Sequence, residues 1–252
     1  MRIAIVGYGR MGHEVETVVA ERGHEIGLIV DPAIGPGSPH ATELTAEGLS
    51  GCDVAIEFSL ADAVPTNIRT YTRALVPAVI GTTGWLGALD ELESVVEAAG
   101  RAVVYGSNFS IGAHIFFRLA SQAGALVRDL DEYDLLVHEI HHRNKKDSPS
   151  GTALTLAKAV LAEVPRKKRV ETARLDRAPA PDELHVSSTR GGSLPGTHTL
   201  YLDSPADTIE ITHRARTRSG FALGAVRAAE WIVGRKGLYT VDQFITDLLE
   251  KR

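Results

Sequence analysis

The chain has 252 residues, 44% of them hydrophobic and 23% charged, an ordinary globular composition that allows one large domain or two modest ones. A formal net charge of −5 argues against a nucleic-acid binder, which needs a basic excess to neutralise phosphates, and no apolar stretch approaches the ~18 residues of a membrane span. The single cysteine, Cys52, excludes an intramolecular disulfide, fits the reducing cytoplasm expected for this chain, and reads as a small residue at a strand entry. Residues 2–6 (RIAIV) read as a short buried strand, too short for the apolar core of a signal peptide. Gly7, Tyr8, Gly9, Arg10, Met11 and Gly12 follow. A helical pattern then runs over 10–22 through Met11, Val15, Val18 and Val19, with Gly23 as its stop. Residues 26–30 form a second strand closed by Asp31 and Pro32, which completes a βαβ unit.

The alternation continues past a Gly/Pro loop at 33–40. Strands are predicted at 54–58, 76–80 and 102–105 and helices at 61–74 and 87–99, with Gly81, Thr82, Thr83 and Gly84 ending the fourth strand. Near-continuous apolar strands between helices predict an α/β domain with a doubly wound parallel sheet. The rhythm changes after Asn108, Phe109 and Ser110, a sequon with no expected glycosylation role. A helix at 111–127 leads to strands at 133–140, 184–189, 198–203 and 207–213, and the basic run 166–169 reads as a solvated helix end or loop. Ile209 and Ile211 alternate with Glu210 and Thr212, as on a half-exposed sheet. These residues predict a second, α+β domain with an open mixed sheet, for which a partner subunit is a common cover. From Ser219 the chain is helical again through Phe221, Ala225, Ala229 and Ile232, with a last helix at 240–250. The expected division is 1–109 plus 219–252 for dinucleotide binding and 110–218 for substrate binding and oligomerisation.

Gly7, Gly9 and Gly12 form G-x-G-x-x-G between a strand and a helix, and Asp31 follows Gly12 by 19 residues. That context turns a weak motif into a Rossmann-type dinucleotide loop. Gly7 serves the turn, Gly9 lets a pyrophosphate approach the backbone, and Gly12 lets helix and strand pack closely. Asp31 suits a ribose 2′-hydroxyl and repels a 2′-phosphate, so NADH is expected ahead of NADPH, with NADPH an allowed alternative favoured by Arg10. The loops at 81–84 and 108–109 end strands and are expected to border the cofactor.

The second signal is the run from His138 to Thr152. His141, His142, Arg143, Lys145 and Lys146 concentrate positive charge just before Pro149, Ser150, Gly151 and Thr152 open an apolar helix. Ser150 suits an N-cap, and the free N–H groups near Gly151 and Thr152 suit an anion. Histidine and lysine in that loop can also supply protons. His138-Glu139-Ile140-His141-His142 also matches the zinc-protease pattern H-E-x-x-H. That pattern needs a helix, whereas residues 133–140 read as a strand, which would hold the two histidines ~13 Å apart, and no metal is expected.

These two segments, with 107–112 (SNFSIG), 188–192 (STRGG), 196–199 (GTHT) and 209–215 (IEITHRA), resemble the dihydrodipicolinate reductase family over nearly the whole chain. The resemblance implies reduction of a cyclic imine with two carboxylates, 4-hydroxy-tetrahydrodipicolinate, by NAD(P)H in diaminopimelate and lysine biosynthesis. It implies His141 as general acid/base and Lys145 as proton donor, with His142, Gly151 and Thr152 on a substrate carboxylate. The cofactor would be held by Gly7, Tyr8, Gly9, Arg10, Met11 and Gly12, by Asp31, by Gly81, Thr82 and Thr83, and by Gly106, Ser107, Asn108 and Phe109. It further implies a homotetramer joined through the second-domain sheet, and closure of the domains about 108–110 and 218–220. The competing readings are another two-domain reductase of a small dicarboxylic or amino acid, and a non-catalytic NADH sensor. A phosphorylating semialdehyde dehydrogenase would need a nucleophilic cysteine, and Cys52 lies in the wrong domain for it.

Overall fold

The computed structural model describes residues 1–35, 37 and 39–250, so Pro36 and Ser38 of the loop at 33–40 lie outside the described residues. The chain divides into two compact units, one running to Ile111 and resuming at Arg218, the other spanning Gly112–Thr217.

The first unit begins with β1 (Arg2–Val6), α1 (Arg10–Glu21), β2 (Glu25–Val30), β3 (His40–Ala41) and β4 (Val54–Glu57). It continues through α2 (Val64–Ala74), β5 (Ala78–Ile80), α3 (Leu89–Ala99) and β6 (Ala102–Tyr105) to α4 (Ile111–Leu126), which leads into the second unit. All strands of its sheet are parallel. Side chains alternate across β1: Ile3 and Ile5 join the core under Val15, Val19, Ala225 and Ala229, while Ala4 and Val6 join the opposite core with Ile68, Tyr71 and Leu92. This is the doubly wound α/β architecture expected from the apolar runs.

Two predicted elements are shorter, for the same reason. Pro77 has no N–H to give the ladder, so the strand expected at 76–80 is confined to Ala78–Ile80, although the Pro77 carbonyl still accepts from Ala55 N at 2.9 Å. The helix expected at 61–74 opens as a 3-10 turn over Ala61–Ala63, with Pro65 in the first turn of the α-helix that follows.

The second unit contains β7 (Asp134–His141), α5 (Gly151–Glu163), β8 (Arg169–Glu171), β9 (Glu183–Arg190), β10 (Thr197–Asp203) and β11 (Thr208–Arg214). The chain then re-enters the first unit as α6 (Ser219–Ile232), β12 (Gly237–Thr240) and α7 (Val241–Glu250). The first sheet has the order β12-β6-β5-β4-β1-β2-β3 and the second β11-β10-β7-β9-β8. The second sheet is mixed, with β7 antiparallel to β10 and parallel to β9. Phe116, Phe117, Leu156 and Val160 of α4 and α5 cover one face, against Leu135, Val137, Val186 and Leu200. Leu136, His138, Ile140 and Tyr201 of the other face are only partly buried. Ile211 packs against the covered core, whereas Ile209 on the same edge strand is 48% exposed.

Half of the basic run at 166–169, Arg166 and Lys167, is drawn into the fold, a correction to the sequence reading, whereas Lys168 and Arg169 are exposed as expected. Lys167 is 5% exposed, with Nζ 2.8 Å from the Glu183 carbonyl and 2.5 Å from Asp134 Oδ1. Arg166 donates to the carbonyls of Val127, Arg128 and Tyr133 just past α4, and Arg169 begins β8. The cations bind orphan carbonyls at a helix end, a role that composition does not reveal.

Candidate active site

The loop between β1 and α1 has the geometry that its glycines require. Gly7 has φ +89, and a Cβ there would lie 2.3 Å from the Phe58 carbonyl oxygen. A Cβ at Gly12 would lie 2.4 Å from the Gly7 oxygen, whereas one at Gly9 would meet nothing within 4 Å. The open side of the loop is therefore at Gly9, the N-cap of α1, whose first turn carries no acidic residue. Unpaired amide hydrogens and the positive helix end make that side complementary to a pyrophosphate.

Asp31 ends β2 with both oxygens engaged: Oδ2 accepts from Tyr8 N at 2.7 Å and Oδ1 from Ala33 N at 2.8 Å. The carboxylate thus ties the glycine loop to the second strand and keeps lone pairs for a ribose. The Tyr8 ring stacks on His13 at 4.1 Å, and its hydroxyl bonds Glu16, which with burial raises its pKa to about 12. Arg10 is exposed. Met11, Gly81, Ser107 and Phe109 border a cavity of about 230 Å³, and Thr82, Thr83 and Gly106 border another of about 250 Å³. The Phe109 ring itself is buried, 1% exposed, in the sheet core. Ser110 N donates to Asn108 Oδ1 at 2.8 Å.

In the second unit β7 sends alternate side chains to opposite faces. His138 lies on the uncovered face, with Nδ1 2.8 Å from Ser187 Oγ, while Glu139 and His141 lie on the helix-covered face. The H-E-x-x-H spacing is thus read out by a strand. Beyond β7, His142 N donates to the Leu194 carbonyl at 2.8 Å. Lys145 Nζ reaches both oxygens of Asp147, at 2.8 and 3.0 Å. Ser150 caps α5 by accepting from Ala153 N at 3.1 Å, with Gly151 exposed and Thr152 half-buried at the helix mouth. Lys145, along with backbone donors that include Gly151 N–H, holds the Asp147 carboxyl below the usual range against burial.

Glu139 is the hub of this region and is fully buried. Its Oε1 accepts from Ser150 N at 3.0 Å, Ser188 Oγ at 2.8 Å and Arg190 Nη2 at 2.7 Å. Its Oε2 lies 3.0 Å from His141 Nδ1 and 3.5 Å from His198 Nε2. Burial alone would push its carboxyl up, but the approach of His198 and the bonds from Ser150, Arg190 and Ser188 outweigh that and hold it far below the usual carboxylate range. Burial lowers His141 to about 4; Glu139 opposes the shift, and His198, Lys145 and Arg190 reinforce it. Ligand atoms of Glu139, His141 and His198 fall within 4.8 Å of one another, close enough to hold a metal ion by distance. Arg190 disfavours a cation there, because its guanidinium sits 2.7 Å from the carboxylate.

The structure brings His141, Lys145, Gly151 and Thr152 to one end of β7 and α5, and the predicted cofactor residues to the carboxyl ends of the parallel strands. Sequence reasoning assigned no role to Glu139, Asp147, Ser188, Arg190 and His198. Glu139 and Asp147 lie in the 138–152 run, and Ser188, Arg190 and His198 in the 188–192 and 196–199 segments, all of which carried the family resemblance. The roles of Glu139, Ser188, Arg190 and His198 were not legible, because each acts through a partner on another strand.

Comparison with known proteins gives a consistent result. Residues 1–109 match the family described as dihydrodipicolinate reductase, N-terminus, and residues 112–245 its C-terminus. A 4-hydroxy-tetrahydrodipicolinate reductase of Christiangramia forsetii is 38% identical over 99% of this chain and 100% of its own. That of Methanoregula boonei is 37% identical over 94% of each chain. Among solved structures, a dipicolinate-bound dihydrodipicolinate reductase from Paenisporosarcina sp. TG-14 shares the fold, with a TM-score of 0.77 at 22% identity over 95% of this chain and 97% of that one.

Proposed function

The chain belongs to the dihydrodipicolinate reductase family, and on that premise we propose how its residues reduce 4-hydroxy-tetrahydrodipicolinate to tetrahydrodipicolinate with NAD(P)H, in diaminopimelate and lysine biosynthesis. The observation that carries the assignment of roles is the cationic loop at the mouth of α5 beside a buried carboxylate–imidazole pair. A dianionic substrate meets positive charge and helix N–H groups there, with proton-transferring side chains in reach.

The dinucleotide supplies the hydride. Gly7, Tyr8, Gly9, Arg10, Met11 and Gly12 cradle its pyrophosphate, Asp31 takes the ribose, and Gly81, Thr82, Thr83 and Gly106–Phe109 border the nicotinamide half. The first unit is thus the dinucleotide-binding domain, and the second binds substrate. His142, Gly151 and Thr152 hold a substrate carboxylate. The substrate's 4-hydroxyl leaves as water, with His141, neutral at pH 7, taking and returning the proton as general acid/base, and Lys145 donates the proton that accompanies hydride transfer. The enzyme acts in the cytoplasm; no helix among the described residues is long and apolar enough to cross a membrane.

Asp31 favours NADH, because a 2′-phosphate would face a carboxylate already held by Tyr8 and Ala33. The assay generates the substrate in place from pyruvate and aspartate semialdehyde with the preceding synthase and follows loss of reduced-nicotinamide absorbance. Substrate-dependent oxidation with NADH ahead of NADPH is the expected result. NADPH ahead would overturn the role of Asp31, and no oxidation with either would overturn the catalytic assignment.

The uncovered face of the second sheet, with Leu136, Ile140 and Tyr201 only partly buried, is where four copies join. Analytical ultracentrifugation is expected to give a tetramer that Tyr201→Arg breaks into smaller species. A native chain that sediments as a monomer at micromolar concentration would rule this out.

A further inference from the structure

We propose that Glu139 is a positioning residue for the reduction: its carboxylate holds His141 through Nδ1, makes Nε2 the proton-exchanging nitrogen, and ties that imidazole to the helix mouth where substrate binds. The proposal deepens the reading of His141 as acid/base and rests on it.

The argument begins with rigidity. Glu139 and His141 are two residues apart on one strand, so their side chains share the covered face. The Oε1 of Glu139 is fixed from three directions, by Ser150 at the start of α5 and by Ser188 and Arg190 on β9. Only Oε2 is left to face His141. Oε2 and His141 Nδ1 stand 3.0 Å apart, both buried, and neither is in a formed hydrogen bond among the described residues, so a small turn of the imidazole pairs two atoms that otherwise lack a partner. An ionised carboxylate can only accept, so the proton of a neutral imidazole belongs on Nδ1. The Nε2 edge of the ring lies over Gly196, where an added Cβ would stand 2.8 Å from Nε2. His198 packs edge-on against the His141 ring at 5.0 Å, and its Nε2 is 3.1 Å from Ser150 Oγ. The ring is thus confined on both sides.

Arg190 completes the device. Its Nη2 bonds both Glu139 Oε1 and the Asp147 carbonyl, each at 2.7 Å, so one guanidinium joins the carboxylate to the loop that carries Lys145. It also balances the charge of Glu139, which lets the carboxylate orient His141 without making it a permanent cation. The same carboxylate that sets the tautomer also accepts from Ser150 N, at the residue before Gly151 and Thr152. Acid/base group and substrate anchor therefore move as one body.

A purely structural role, joining β7, β9 and α5, would leave the tautomer of His141 unspecified, and this separates the two readings. In protein labelled with 15N-histidine, long-range 15N–1H spectra of the native chain are expected to show His141 protonated at Nδ1 and bare at Nε2. In Glu139→Gln the tautomers are expected to mix. The kcat falls ~100-fold, within the range for a disturbed acid/base group, while the substrate KM and NADH Kd stay within about threefold. An Nε2-protonated His141 in the native chain would overturn the proposal, as would Glu139→Gln with near-native kcat or an unchanged tautomer. If Glu139→Gln does not fold, the native spectrum decides alone. Unchanged turnover in His141→Ala would instead remove the acid/base reading, while the spectra would still judge the Glu139 contact.

Discussion

Replacing His141 with alanine is expected to lower kcat by about 10²–10⁴-fold while NADH binding stays near native. His141 is 6% exposed and lies in the second unit, whereas the glycine loop and Asp31 lie in the first, so truncating the imidazole removes a proton-transfer group without touching the dinucleotide residues. Steady-state turnover and equilibrium fluorescence titration with NADH check the two halves separately. A sensor would bind NADH and show no turnover even before mutation, and unchanged turnover in the variant would end the assignment of His141. The pH profile adds a signed expectation. Burial depresses His141 to about 4 despite the attraction of Glu139, with His198, Lys145 and Arg190 adding to the depression. The neutral, base-competent form therefore persists as pH falls through 6.5, and kcat/KM is expected to fall on the acid side only as pH approaches about 4. An acid limb near pH 6.5 that disappears in His141→Ala would contradict this environment.

Gly224→Ala is expected to be the most destabilising conservative change in the first unit. In the interior of an exposed helix, glycine to alanine gains about 1 kcal/mol, because glycine has more chain entropy to lose. Here the sign reverses. A Cβ at Gly224 would stand 1.6 Å from the Phe109 carbonyl oxygen and 2.7 Å from its carbonyl carbon. Backbone cannot swing aside as a long side chain can, so α6 or the segment after β6 must move, at a cost of about 3 kcal/mol or more. For a chain of this size that corresponds to roughly 6–12 °C in Tm, measurable by calorimetry. Because Phe109 follows Ser107 and Asn108, weaker NADH binding is expected as well. Gly220→Ala in the same helix is the control: its nearest neighbour, Ser110 Oγ, is 3.7 Å from the added carbon, so that variant is expected to be neutral or slightly stabilising. Equal Tm values for the two variants would refute the packing argument.

Much of this protein is written locally. The run of apolar strands between helices, the turn at Gly7 and the cap at Ser150 depend on a few neighbouring residues each, so periodicity and residue type sufficed to place them and to predict two architectures in one chain. The helix start and charge density of the 141–152 run were legible for the same reason, being properties of contiguous residues. Asp31 was singled out by its spacing, but its grip on Tyr8 N and Ala33 N was not legible. The strands β8 and β12 were missed because each is short and pairs on one side only, so what makes it a strand is its neighbour: β9 for the first and β6 for the second. Arg166 and Lys167 of the basic run were misread because the carbonyls they satisfy come from residues 127–133 and 183, distant in the chain.

The Glu139 cluster is the clearest case. Sheet register sets His198 directly across from Glu139 on β10 and Ser188 directly across on β9. Nothing within a few residues of Glu139 announces either partner. Sequence by itself determined which residues could transfer a proton or bind an anion, because those are properties of side chains and their local backbone. Only the tertiary structure decided which of them share a buried carboxylate, because strand pairing joins positions about 50–60 residues apart, and low-dielectric burial then gives those contacts their strength.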